Sequence, residues 1–254
     1  MHRAALAELG LRDWTYQHLP APPELLADVV AGLPGAGFVG ANVTIPHKEA
    51  ALALATHPSP RARAIGAANT LTFLPDGGVV ADNTDAPGLL AAIGRDVAGM
   101  RAVVLGAGGS ARAAVHALTG AGAEVQVWNR TPERARALVC ELGGRAVGRL
   151  EPADLLVNCT AAGLQDRSAT FKHLPLDADA LGAYALVVDL VYSETGETAL
   201  TAAASTRGIT TVGGLEILVR QGALSLESWT HRPAPLETMR AAVRRTLRTP
   251  RPSP

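Results

Sequence analysis

Residues 102–119 read AVVLGAGGSARAAVHALT, a short apolar run followed by a glycine-rich turn and a helical pattern. Gly106, Gly108 and Ala111 occupy the small-residue positions of a G-x-G-x-x-G/A motif that leaves a strand and opens a helix. Such glycines permit a tight turn and let the backbone approach a pyrophosphate at the positive end of the helix. In this context the motif predicts a dinucleotide site rather than an ordinary glycine turn, built from Gly106, Ala107, Gly108, Gly109 and Ser110.

The sequence after this turn continues the alternation of strands and helices. Apolar strand patterns cover residues 124–128, 155–158 and 185–190, and an amphipathic helix pattern covers residues 132–142. Apolar strands that alternate with amphipathic helices are typical of a parallel, doubly wound sheet. We therefore predict an α/β dinucleotide-binding domain over residues 86–213.

The end of the second strand indicates which dinucleotide binds. An NAD site would place Asp or Glu there to bind the ribose 2′-hydroxyl. This chain instead has Asn129, Arg130 and Thr131, with Arg134 one turn later. An arginine can bind a 2′-phosphate, and a hydrogen bond to a charged group contributes about 1.5–3 kcal/mol. The pattern favours NADP; the alternative is that Arg130 only points into solvent beside a helix start.

The first third of the chain predicts a second α/β layer. Helical patterns begin near Arg3 and at Pro22, and strand patterns cover residues 14–19 and 38–43. Pro46 is expected to start a helix that carries Lys48 in its first turn. Strand patterns at 70–74 and 79–82 flank a Pro-Asp-Gly-Gly turn, which predicts a hairpin at a sheet edge, before a helix over 87–97.

Two long helical patterns, at residues 215–228 and 236–247, close the chain. We expect them to pack back on the first domain. The predicted organisation is a substrate domain over 1–85, a dinucleotide domain over 86–213 and returning helices over 214–248.

Lys48 is a candidate proton-transfer group because the chain uses lysine so rarely. Of its 23 basic residues only Lys48 and Lys172 are lysine, and the rest are arginine. Arginine stays protonated in proteins, whereas a lysine ammonium can give up a proton. The alternative is an ordinary solvated lysine on a surface helix. Asp85 likewise has a structural alternative, which is to cap the helix that begins near Pro87.

The composition excludes several classes of function. The 23 basic and 23 acidic residues balance, so nothing favours a nucleic-acid partner or a membrane surface. The longest stretch without charge, residues 29–47, contains several Gly and Pro residues and is not a membrane span. The two cysteines form no disulfide framework or metal motif. We expect a cytoplasmic protein that binds small molecules and holds no metal.

Several motifs in order resemble the shikimate dehydrogenase family over essentially the whole chain. They are NVTIPHK at 42–48, GAANTL at 66–71, NTDAPG at 83–88, GAGGSAR at 106–112, NRT at 129–131, NCTAAG at 158–163, DLVY at 189–192 and GGLEILVRQGA at 213–223. The resemblance implies a substrate domain and a Rossmann-type domain with the site between them. It also implies reversible NADP-dependent reduction of 3-dehydroshikimate to shikimate, in aromatic amino acid biosynthesis through chorismate, by a monomer or homodimer.

The resemblance also implies roles for individual residues. Lys48 looks like the proton-transfer lysine and Asp85 like its carboxylate partner. The substrate-binding positions, Asp85 among them, are matched by Thr44, Asn69, Tyr192 and Gln221. The cofactor segments are matched by residues 106–110 and 129–134, and the positions beside the nicotinamide by Leu190 and Gly214.

The sequence departs from the family pattern at one place. Family members have a strand and a Ser-x-Ser-Pro turn, whose serines bind the substrate carboxylate, before a Met-His pair that Met1 and His2 resemble. Their absence predicts an exposed sheet edge and weaker carboxylate binding. One alternative to the main prediction is a quinate/shikimate dehydrogenase that prefers NAD, which Arg130 argues against. A second, which follows from the missing segment, is a catalytically impaired dinucleotide-binding protein.

Overall fold

A computed structural model describes residues 1–164, 166–192 and 196–248. This part of the chain forms two sheets. The strands of the first lie in the order 40–42, 70–73, 79–82 and 57–58, and those of the second in the order 210–213, 186–189, 155–158, 101–105, 124–128 and 145–146. The predicted two-sheet α/β class is confirmed. No helix in the described part of the chain combines the length and the apolar character that crossing a membrane requires.

The six-stranded sheet is parallel throughout, as the apolar strand patterns predict. Its central strands β5, β8 and β9 are almost completely buried because helices cover the sheet. The strands are β5 (Arg101–Leu105), β6 (Glu124–Trp128), β7 (Arg145–Ala146), β8 (Leu155–Asn158), β9 (Leu186–Asp189) and β10 (Thr210–Gly213). The helices between them are α6 (Gly109–Gly120), α7 (Pro132–Leu142) and α8 (Ala199–Ser205).

The strand order of this sheet reverses at β5. The chain goes from β5 outward to β6 and β7, and then crosses back to place β8 on the other side of β5. Ligands of open α/β sheets bind at such a switch point, beyond the carboxyl ends of the strands. The glycine-rich turn after β5 therefore lies where a dinucleotide is expected.

The four-stranded sheet has the predicted hairpin in its middle. Strands β3 (Thr70–Phe73) and β4 (Val79–Asp82) pair antiparallel. The prediction that this hairpin forms a sheet edge is wrong, because two short strands flank it. They are β1 (Gly40–Asn42), which pairs antiparallel with β3, and β2 (His57–Pro58), which pairs parallel with β4.

Residues 14–19 do not form the predicted strand, since no strand in the described ranges pairs with them. Side chains hold the segment instead. The Arg3 guanidinium donates to the Tyr16 carbonyl, and the Tyr16 hydroxyl donates to Asn42 at 3.0 Å. The Tyr16 ring also stacks on His2, with the ring centroids 4.2 Å apart. The residue pattern suits a strand, but contacts with the Arg3, His2 and Asn42 side chains, rather than pairing with another strand, hold this segment.

The other helices of the first third lie close to the predicted positions. They are α1 (His2–Glu8), α2 (Leu26–Gly32) and α3 (Lys48–Ala53), while a fourth helix, α4 (Pro60–Ile65), was not predicted. We predicted that Pro46 starts α3, because proline favours the first helical position, and this prediction is wrong. The Ile45–Pro46 peptide is cis and belongs to a turn, and the helix begins at Lys48 itself.

The last two helices return to the start of the chain, as predicted. They are α9 (Gly214–Thr230) and α10 (Leu236–Arg248), and α9 also packs along α5 (Asp85–Ile93). An apolar cluster joins α1 to them through Leu6, Val219, Leu226 and Met239. A Cβ on Gly88 of α5 would lie 2.9 Å from the Gln221 backbone nitrogen. Gly88 therefore allows the close helix crossing that brings Gln221 towards Asp85.

Candidate active site

Lys48 and Asp85 form a buried ion pair at the starts of two helices. The Lys48 Nζ lies 2.7 Å from the Asp85 Oδ2, and the two side chains are only 10% and 14% exposed. Both residues are the first of their helices, α3 and α5. Lys48 is therefore not the solvated surface lysine that the alternative interpretation requires. Its ammonium has a fixed partner and keeps further N–H groups for other acceptors.

Asp85 does not cap the helix that follows it. The Asn83 side-chain oxygen accepts from the backbone N–H groups of Asp85 and Ala86, at 3.1 and 3.2 Å. The helix also begins at Asp85 rather than near Pro87. Because Asn83 satisfies these amides, the Asp85 carboxylate is available to other side chains.

Asn69 holds the second oxygen of Asp85. Its Nδ2 donates to Asp85 Oδ1 at 2.8 Å and to Gln221 Oε1 at 3.2 Å. Its Oδ1 accepts from the Thr84 amide at 2.7 Å and from the hydroxyls of Thr70 and Thr84 at 3.1 Å. These three donors fix the orientation of the amide group. Thr70 and Thr84 were missed by the sequence analysis, although both lie within motifs that it used.

Gln221 joins this group from the C-terminal helix α9. Its Nε2 donates to the Leu218 carbonyl at 2.8 Å, which leaves Oε1 to face Asn69. The structure therefore assembles four predicted residues, Lys48, Asp85, Asn69 and Gln221, from distant parts of the sequence.

The glycine-rich turn touches Lys48 directly. Gly106 has a φ of +111°, and a Cβ there would lie 3.2 Å from the Cys159 backbone. A Cβ on Gly109 would lie 3.2 Å from the Lys48 Cβ. The Ser110 Oγ accepts a hydrogen bond from the Lys48 Nζ at 3.1 Å. The turn that was predicted to bind a dinucleotide is thus packed against the candidate proton donor.

The start of α6 suits a phosphate group. Gly108 precedes the helix and no side chain caps its first amides. Nothing in the described ranges lies within 4 Å of a Cβ built on Gly108, while Ala107 is half-buried beside it. Uncapped amides and the positive helix end bind anions. The residues present therefore fit a dinucleotide pyrophosphate.

The residues expected to bind the 2′-phosphate are exposed at the end of β6 and the start of α7. Asn129 Nδ2 donates to the Thr131 carbonyl at 2.8 Å and so shapes the turn. Arg130 and Arg134 are exposed, and neither forms an ion pair with another residue of the described ranges. Their guanidinium groups are available to a phosphate.

Leu190 and Gly214 meet at the carboxyl end of β9. A Cβ on Gly214 would lie 2.6 Å from the carbonyl oxygens of Leu190 and Val191, so only glycine fits there without displacing backbone. The structure therefore brings these two predicted cofactor residues together. Leu190 is half-buried, and Gly214 opens α9.

Asp189 supports this corner and was not predicted as a site residue. Its carboxylate is fully buried and accepts from Asn158 Nδ2 at 2.9 Å, the Val191 amide at 3.1 Å and the Thr198 hydroxyl at 2.6 Å. Burial raises the pKa of this carboxyl from 3.8 to about 6, although the three hydrogen bonds act to lower it. Asp189 is the first residue of the DLVY motif, but only Leu190 and Tyr192 of that motif were predicted to have roles in the site.

Thr44 and Tyr192 remain apart from the hydrogen-bonded group. Thr44 is exposed in the turn before α3, and Tyr192 is 50% exposed after β9. Neither side chain bonds to another residue of the described ranges, so their substrate roles stay predictions. Cys159 lies beside Gly106 of the glycine-rich turn, and burial raises the pKa of its thiol, which stays protonated. Over the same ranges, no three His, Cys, Asp or Glu side chains are grouped to hold a metal.

Comparisons with known proteins match this arrangement. Family models match in three segments: "Shikimate dehydrogenase substrate binding domain" at residues 1–71, "Shikimate / quinate 5-dehydrogenase" at 89–164 and "Shikimate 5′-dehydrogenase C-terminal domain" at 214–244. Two similar relatives are both named shikimate dehydrogenase (NADP(+)). The protein of Methylobacterium radiotolerans is 44% identical over 85% of this chain and 80% of its own. That of Thermus thermophilus is 43% identical over 97% and 92%.

A solved structure agrees with these sequence relatives. It is shikimate 5-dehydrogenase from Thermus thermophilus in complex with NADP(H) and shikimate, with a TM-score of 0.86 and 42% identity. The match covers 96% of this chain and 92% of that one. Fold, motif order and chain coverage therefore agree.

Proposed function

The chain belongs to the shikimate dehydrogenase family, and we propose from this premise that it is an NADP-dependent oxidoreductase. It interconverts 3-dehydroshikimate and shikimate, a step of aromatic amino acid biosynthesis. The observation that carries the proposal is the Lys48–Asp85 ion pair at 2.7 Å, set against the glycine-rich turn through Ser110. A buried proton donor beside a dinucleotide site is what ketone reduction requires.

We propose that Lys48 transfers the proton. NADPH bound at the glycine-rich turn would supply a hydride to the ketone carbon. The Lys48 ammonium gives a proton to the ketone oxygen. In the reverse direction the Lys48 amine accepts the proton of the hydroxyl. A positioned general acid typically contributes about 10²- to 10⁴-fold in rate. Asp85 holds the ammonium in place, and Asn69 in turn holds Asp85.

Substrate binding is proposed for the polar groups around this pair. Asn69 and Gln221 present amide groups next to the Asp85 carboxylate, which suits the hydroxyls of a polyhydroxylated ring. Thr44 and Tyr192 are proposed as further contacts, and their exposure leaves both free to meet a ligand. We also propose the division into a substrate domain (1–85), an NADP domain (86–213) and returning helices (214–248).

The cofactor site is proposed to consist of Gly106–Ser110, Asn129–Thr131 with Arg134, Leu190 and Gly214. The exposed Arg130 supports NADP because it stands where an NAD site would have a carboxylate. The same residue argues against the alternative of a quinate/shikimate dehydrogenase that prefers NAD.

The test is an assay of the purified protein with both cofactors and both substrates. We expect NADP⁺-dependent oxidation of shikimate, with kcat/KM lower for NAD⁺ and for quinate. A preference for NAD⁺ with quinate would favour the alternative enzyme. Binding of NADPH without measurable turnover would favour the impaired dinucleotide-binding protein. We further propose a cytoplasmic monomer or homodimer; mass measurement in solution tests the oligomeric state.

A further inference from the structure

Ser110 makes a contact that a residue of a phosphate-binding turn does not need. Its Oγ accepts a hydrogen bond from the Lys48 Nζ at 3.1 Å, across 62 positions of sequence. The preceding residue, Gly109, lies against the stem of the same lysine, where an added Cβ would be 3.2 Å from Lys48 Cβ and 3.3 Å from Cδ. Two consecutive residues of the turn therefore hold the stem and the head of Lys48.

The geometry assigns Ser110 as a positioning residue for the Lys48 ammonium. An ammonium has three N–H donors. Asp85 Oδ2 takes one at 2.7 Å and Ser110 Oγ takes a second at 3.1 Å. With two acceptors in place, rotation about the Cε–Nζ bond is stopped and the third N–H has one direction. This third donor is the one left to meet the substrate oxygen.

Asp85 alone does not give the same constraint. With Asp85 as the sole acceptor, a single hydrogen bond opposes rotation about the Cε–Nζ bond, and Ser110 adds a second. Ser110 comes from α6 and Asp85 from α5, so the two acceptors belong to separate helices that pack against each other. The buried position of Lys48, 9% exposed, limits replacement of the serine by water. The serine hydroxyl thus restricts rotation of the ammonium before the reaction, so that this freedom does not have to be lost on reaching the transition state.

The inference rests on the proposed proton transfer by Lys48, yet part of its test needs neither substrate nor cofactor. The chain has only Lys48 and Lys172 as lysines, so protein labelled with ¹⁵N-lysine gives two side-chain ammonium signals. Lys172 is exposed and is the internal control. In the ligand-free wild type, relaxation should show the Lys48 ammonium to be much more rigid than that of Lys172. Equal mobility of the two would overturn the inference, even if no Ser110 variant folds.

The decisive comparison is between Ser110→Ala and Ser110→Thr. Alanine removes the acceptor, so the Lys48 ammonium should become more mobile. At saturating substrates kcat should fall about tenfold, which corresponds to ~1.4 kcal/mol of transition-state stabilisation. Threonine keeps a hydroxyl and should restore most of both properties. Ser228→Ala, which removes an exposed hydroxyl from α9, is the control and should change neither.

The competing role for Ser110 is contact with the cofactor alone. It predicts a raised KM for NADP⁺ in Ser110→Ala with kcat and the Lys48 signal unchanged, and this result would overturn the inference. Equal losses in the alanine and threonine variants would do the same, since the hydroxyl would not be responsible. If the wild type does not oxidise shikimate, the proposed function fails, while the ammonium mobilities still test the contact.

Discussion

Replacing Asp189 by asparagine should change how the stability of the protein depends on pH. The buried carboxyl has a pKa of about 6 in the folded protein, against an ordinary value of 3.8. Between these two pH values the folded state holds a proton on Asp189 that the unfolded state has released. The free energy of unfolding therefore falls as pH rises through this window. The fall attributable to this group is at most ~3 kcal/mol.

The pH profile of the wild type alone does not isolate this effect. Burial lowers the pKa of His2 from 6.5 to about 4, so His2 is neutral in the fold where the unfolded chain is protonated. Stability from this group is present above pH 6.5 and is lost as pH falls towards 4. The contributions of His2 and Asp189 thus oppose each other over nearly the same range. The stability of the wild type can therefore be nearly independent of pH even though both groups contribute.

The assay is denaturant unfolding of the wild type and Asp189→Asn at a series of pH values. The wild type should lose stability relative to the variant by up to ~3 kcal/mol as pH rises from below 4 to above 6. Asp179→Asn, which removes an exposed carboxylate, is the matched control, and its difference in stability from the wild type should not change in this way with pH. A difference between wild type and Asp189→Asn that is independent of pH would refute the reasoning.

Three further predictions concern the site. Arg130→Ala should raise KM for NADP⁺ by roughly 10- to 100-fold and leave kinetics with NAD⁺ almost unchanged. Arg136→Ala, on the helix α7 that follows Arg130, is the control and should leave the kinetics with both cofactors unchanged; equal effects of Arg130→Ala on both cofactors would exclude 2′-phosphate binding. Asp85→Asn should lower kcat by about 10²-fold, because the lysine loses its charged partner; a kcat within twofold of the wild type would contradict this. Gly214→Ala should destabilise the fold by about 1–3 kcal/mol, since its Cβ would lie 2.6 Å from two carbonyl oxygens; Gly213→Ala, with open space around it, is the control for the unfolding measurement.

The longer strands and helices could be predicted because their hydrophobic patterns extend over enough residues to show a period. The strand Glu124–Trp128 and the helix Pro132–Leu142 lie where the patterns place them. The strands His57–Pro58 and Arg145–Ala146 were missed, since two residues have no period to detect. Residues 14–19 show the opposite error. Their strand pattern is clear, but a strand needs a partner, and local sequence does not specify one.

The candidate site was predictable as a set of residues but not as a set of contacts. Motif order identified Lys48, Asp85, Asn69 and Gln221. Local sequence could not show that Asn83, rather than Asp85, satisfies the first amides of α5. Nor could it show that Ser110 reaches Lys48, because that contact depends on how two domains pack.

The most direct test of the account is the rate of shikimate oxidation by the two lysine variants. Lys48→Met should lower kcat with NADP⁺ by at least about 10²-fold, while NADP⁺ binding, measured by calorimetry, should persist. Lys172→Met changes the same residue type at an exposed position and should leave kcat unchanged. If Lys48→Met keeps a kcat within a few-fold of the wild type, Lys48 is not the proton-transfer group, and the central claim is wrong.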